Sequence, residues 1–278
     1  MGKQKYSFTG IVISLLKSFC FVATWFLVSQ LASIITAFFL TIKHPGSSAE
    51  ALANLSLEYA TQTLVIANAL TLLVFIIFYN LRKKPISQRC EIVNKPLGVY
   101  IRVILLGIIG QFAIQYLLSL LFFVIPQQWL DALSQNNASL STASSAINFI
   151  AVVLLGPIFE EIMCRGLMLG AMKKAMPKWV AVFLSSLIFG LLHANPIGII
   201  YATLFGILLG FIAVKFNSIL PAIICHIAFN ATSLSLTGEL GAIGLLLLNA
   251  SIPLLVVLIV RTAKYKEPGP KDIDEEGE

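Results

Sequence analysis

Charge is scarce in this sequence. Only 12% of its 278 residues are charged, against 58% hydrophobic, and the mean hydropathy is +0.91. No soluble domain of this length needs so much apolar surface, so the class is a polytopic helical membrane protein. Cysteine is also thin. Cys20, Cys90, Cys164 and Cys225 show no paired spacing, and three of them fall in apolar segments, which argues against a disulfide framework. No small-residue cleavage site stands out near the first apolar segment, which is too long for a signal-peptide core and is expected to be a retained span. The net charge of +6 comes from basic residues beside apolar spans rather than from a basic patch, so no nucleic-acid partner is expected. There are three histidines, and His-Glu-x-x-His is missing.

What is present is a series of apolar runs. Eight are expected to span a membrane: about 11–42, 59–81, 97–125, 146–172, 179–194, 197–214, 219–236 and 240–260. The fold class is all-α, a polytopic membrane helical bundle of about eight transmembrane helices. The first run is about 48 Å long at 1.5 Å per residue and must tilt or project. Links at 43–57 and 127–145 are polar, and Asn195-Pro196 makes a tight turn. With both termini placed on the cytoplasmic side, 15 of the 19 basic residues collect there and only Lys43 is left for the far side. The expected location is therefore an integral protein of the cell (plasma) membrane with cytoplasmic termini. The chain divides into 1–145 (three N-terminal spans with their loops), 146–236 (the core that carries chemistry), 237–262 (a last span) and a charged tail, 263–278, expected to be disordered. In the sixth run Gly198, Ala202, Gly206 and Gly210 recur every four residues, a small-residue face that lets a neighbouring helix approach closely.

Glu160, Glu161 and Arg165 lie inside the fourth run. A charge at the bilayer centre costs roughly 2.5–3.5 kcal/mol on insertion scales, so such groups face a protein interior or a water-filled cavity and mark a functional site. Glu161 and Arg165 are i,i+4 neighbours and can pair. Glu160 is rotated by about 100° from Glu161 and is the carboxylate left free. His193 closes the fifth run, and His226 and Asn230 share one face of the seventh. Each needs a polar partner in hydrocarbon, which one shared cavity supplies. Such a cavity suits amide hydrolysis. Glu160 can take a proton from water, and His193 can orient that water or pass the proton to the leaving nitrogen. His226 and Asn230 can donate to the developing oxyanion, while Arg165 neutralises Glu161. Pro157 removes a backbone hydrogen bond and is expected to kink the helix three residues before Glu160.

Glu-Glu-x-x-x-Arg, Phe-x-x-x-His and His-x-x-x-Asn, each in its own apolar run, resemble the CAAX-protease and bacteriocin-processing (CPBP, or Abi) intramembrane endopeptidases over about 146–236. The resemblance implies Glu160 as catalytic carboxylate, His193 as its partner, His226 with Asn230 as the oxyanion site, and Glu161 with Arg165 as the supporting pair. The departure is Cys164, where the family usually has an aromatic residue; it bears on local packing. The expected function is an intramembrane endopeptidase that cuts a membrane-associated peptide, CAAX-like or a bacteriocin-like precursor, by a Glu-activated water. Its partners are a peptide or protein substrate and the lipid bilayer. No cofactor is favoured. Zinc is possible, with Glu160, His193 and His226 as the ligand set. The alternatives are a non-catalytic peptide-binding immunity protein and a proton-coupled transporter, since buried Glu, His and Arg also build proton relays. A cysteine protease fails on spacing: Cys225 and His226 are adjacent and point different ways.

Overall fold

In a computed structural model, residues 6–141, 145–193, 195–235 and 242–267 are described; most of the expected tail lies outside them. The fold is an all-α membrane bundle. Five helices are long and apolar enough to cross a bilayer: α1 (Phe8–Lys43), α3 (Ala60–Leu81), α5 (Leu97–Leu121), α9 (Pro196–Phe216) and most of α11 (Ala242–Lys264). Two shorter apolar helices, α8 (Lys178–Leu191) and α10 (Leu220–Ser235), stand beside α7, a continuous helical run over 145–172. With these, the eight runs expected from the sequence are all accounted for. Large apolar side chains on the outer helices, such as Phe19, Leu27 and Phe38 of α1, face outward, as lipid contact requires.

The polar links are shorter than the sequence suggested because each holds a helix. α2 (Ala49–Glu58) starts at Ser48, whose side chain accepts from Ala51 N and is followed by Glu50 in the first turn. α6 (Gln127–Ser141) begins directly after Pro126, the residue that stops the third run. The basic loop after α3 carries the short α4 (Ile86–Arg89) and then turns inward: Cys90 is buried and Ile92 packs on the core.

α7 is the centre of the bundle. Every residue from 161 to 172 is buried, so this half of the helix is covered on all sides. Phe159, Ile162, Met163 and Leu167 form one core with Phe189 of α8 and Ile223 of α10. Close approach has specific causes. A Cβ on Gly166 would lie 2.4 Å from Cys90 Sγ, so only glycine lets the basic loop press on α7. The small-residue face of α9 does meet a helix: Gly206 and Gly210 stand against Ser186, Phe189 and Val182 of α8.

Pro157 does not break α7. The helix widens to π geometry over Phe149–Leu155, returns to α over Gly156–Glu161, and widens again over Ile162–Leu169. In the π register, the Val152 carbonyl would accept from residue 157, but proline has no N–H. Asn230 Nδ2 of α10 donates to that carbonyl instead, at 2.8 Å. A sequence-level defect in one helix is thus met by a side chain from another.

Candidate active site

Glu161 is fully buried. Arg165 Nη1 donates to Glu161 Oε1 at 2.7 Å, the i,i+4 geometry of one helical face. Arg165 Nη2 donates to the Gly206 carbonyl at 2.9 Å. Gly206 allows this, since a Cβ there would lie 3.0 Å from Nη2. The guanidinium also lies over the Phe189 ring, 4.5 Å from its centroid. One cation is therefore held by a carboxylate, a carbonyl and an aromatic face. A planar fork suits this better than an ammonium.

His226 joins the two carboxylates. Its Nδ1 is 3.0 Å from Glu161 Oε1 and its Nε2 is 3.7 Å from Glu160 Oε2. Arg165 keeps Glu161 an acceptor, so His226 Nδ1–H is the donor and Nε2 turns towards Glu160. The ring is clamped edgewise between Phe189 and Phe205, with centroids at 5.8 and 5.3 Å. Glu160 differs from its neighbour: its side chain is 32% exposed, against 0% for Glu161.

His193 lies in the turn between α8 and α9. Asn195 is the N-cap of α9: its Oδ1 accepts from Gly198 N at 2.7 Å, its Nδ2 donates to the His193 carbonyl at 3.1 Å, and Pro196 follows at the first helical position. His193 Nδ1 donates to the Phe189 carbonyl at 3.0 Å, one of the orphan acceptors at the end of α8. That fixes the tautomer with Nε2 as a free acceptor when the ring is neutral. Among the described residues, no hydrogen bond or ion pair joins His193 to Glu160. The link between the histidines is Phe189, whose ring packs against both imidazoles (4.9 Å to His193).

The motifs assign no role to two participants, the Phe189 of Phe-x-x-x-His and the Val152 carbonyl. Phe189 touches Arg165, His193 and His226. Its signal was its position one turn before His193, which places the aromatic on the histidine's own face. The Val152 carbonyl had no side-chain signal, only its spacing from Pro157. Among the described residues, no group of three or more His, Cys, Asp and Glu side chains is arranged to hold a metal ion.

Fold and site together define an integral membrane protein with a buried carboxylate–imidazole–guanidinium cluster at the centre of a helical bundle. Residues 142–232, about a third of the chain, match the family model described as Rce1-like, type II CAAX prenyl endopeptidase Rce1-like. The match bears out the resemblance to the CPBP/Abi endopeptidases, and at the level of class it supports a CAAX-type membrane protease. No curated protein and no solved structure matches the chain.

Proposed function

We propose that this protein is an intramembrane endopeptidase that cleaves a membrane-associated peptide with a water activated by Glu160. The observation that carries the reading is the facing pair Glu160 Oε2 and His226 Nε2, 3.7 Å apart, with the imidazole locked from behind by Glu161. Atoms at that distance do not hydrogen-bond directly, and the gap suits a bridging water. A substrate water there donates one hydrogen to each group and turns its lone pairs outward, towards a carbonyl carbon. Glu160 takes a proton as the oxygen attacks. His193, its Nε2 free, suits relay of that proton through water to the leaving nitrogen. Asn230 Nδ2 carries two hydrogens and spends one on Val152, leaving the other for the oxyanion. The peptide-bond C–N cleaves, and the water oxygen ends on the new carboxylate.

The mechanism proposed is metal-free. Zinc would need its donors within about 2.0–2.2 Å of one point; the absence of any three-ligand group among the described residues supports the metal-free reading. Purified protein is expected to contain no stoichiometric metal and to cleave a peptide substrate after exhaustive chelation. Activity lost on chelation and restored by zinc, with about one zinc per chain, refutes this mechanism.

The orientation proposed places the loop 82–96 in the cytoplasm, with both termini on the same side in the plasma membrane. Ser87 is exposed in that loop. In a background lacking the four native cysteines, Ser87→Cys is expected to resist an impermeant thiol reagent in intact cells and to react after permeabilisation. Ready labelling of intact cells inverts the topology.

A further inference from the structure

The seam between α5 and α11 opens at two places that the catalytic reading leaves unused. Where α5 begins and α11 ends, a cavity of about 320 Å³ is lined by Arg102 and Leu105 from one helix and Leu258, Arg261 and Thr262 from the other. Farther along the same seam lies a cleft of about 450 Å³, walled by Ala113 and Leu117 of α5, Leu255 and Ile259 of α11, and α9. No charged side chain lines it. Leu255, Leu258 and Ile259 share one face of α11, so the two openings adjoin.

The first opening is cationic, and no carboxylate lines it among the described residues. Arg102 lies over the Tyr265 ring, 4.3 Å from its centroid, and its Nε is buried without a partner. Among the described residues neither Arg102 nor Arg261 forms an ion pair. The nearby carboxylate, Glu267, is taken by Lys95 at 3.1 Å. Two guanidiniums beside the mouth of an apolar cleft match a ligand with a phosphate at one end and hydrocarbon at the other. We propose that this seam binds one anionic phospholipid, with its phosphate between Arg102 and Arg261 and an acyl chain along the cleft. The chain would lie against Phe205, which lines the cleft and packs on His226.

The test is native mass spectrometry of the full chain in detergent, titrated with dioleoyl phosphatidylglycerol or dioleoyl phosphatidylcholine, which have identical chains. Wild-type protein is expected to prefer the glycerol lipid on the order of thirtyfold, the size set by two basic side chains beside an anionic surface. Arg102→Gln/Arg261→Gln should bring its binding down to the choline level. Arg102→Lys/Arg261→Lys should keep most of the preference. Arg261→Gln alone, at an exposed position that tolerates the change, should lose about fivefold. Equal binding of the two lipids by wild type, or an unchanged preference in the Gln variants, overturns the site. So does displacement by glycerol phosphate at equal concentration, which would mean that the cleft contributes nothing. If the glycerol lipid binds only after Asp272, Asp274, Glu275 and Glu276 are changed to amides, the arginines serve the chain's own acidic end, and the lipid site is equally overturned.

Discussion

Glu160→Gln protein is expected to reach wild-type abundance in the membrane and to lose peptide cleavage by roughly 10²–10⁴-fold, the range of a removed general base. The substitution keeps the shape and a hydrogen-bonding head but cannot take a proton. It touches little that holds the fold. The Glu160 side chain is 32% exposed, and its recorded polar neighbour, His226 Nε2, stands at 3.7 Å, too far for a direct hydrogen bond. His226 stays oriented by Glu161 in the variant. The measurement is cleavage by reconstituted protein, set beside thermal melting in detergent. Full activity would show that Glu160 is not the base.

Arg165→Ala should act in the opposite way, through the fold. Glu161 has 0% side-chain exposure, its Oε2 already lacks a partner, and its Oε1 would keep only His226 Nδ1. Removing one member of a buried ion pair costs on the order of 3–5 kcal/mol, because the remaining charge is stranded. The Gly206 carbonyl loses its side-chain donor and the Phe189 ring loses its cation in the same step. Folded yield and melting temperature are expected to fall sharply, and activity with them. Arg165→Lys should recover part of the yield, since an ammonium can pair with Glu161 but cannot serve the carboxylate, the carbonyl and the ring together. Equal yield and melting temperature for Arg165→Ala and Glu160→Gln would overturn this division of roles between neighbouring carboxylates.

Much of the site could be read from spacing within single helices. An i,i+4 interval brings Glu161 and Arg165 together on any α-helix, and the same interval in Phe-x-x-x-His puts Phe189 beside His193. The hidden features cross between helices. Nothing local says that His226 addresses one carboxylate with each ring nitrogen, or that Asn230 serves a carbonyl 78 residues earlier in the chain. The basic loop hides contacts of the same kind. Its charges bear only on the orientation expected, while Cys90 packs against Gly166 and the Ser218 hydroxyl bonds both the N–H and the carbonyl of Val93.

By itself, the sequence determined the all-helical membrane class, the approximate number of spans and the family resemblance. Hydrocarbon leaves a spanning backbone few options: each apolar run must satisfy its own hydrogen bonds, so composition and run length nearly dictate the element. The tertiary structure alone decided which polar groups of different helices meet. Once the backbone is satisfied, lipid gives helices little hydrophobic reason to choose one partner over another, and contact is settled by close packing at small residues and by the need of each buried polar group for a mate. Gly166, Gly206 and the donor missing at Pro157 are such decisions. They brought Glu160, His226 and Asn230 from two helices to one place.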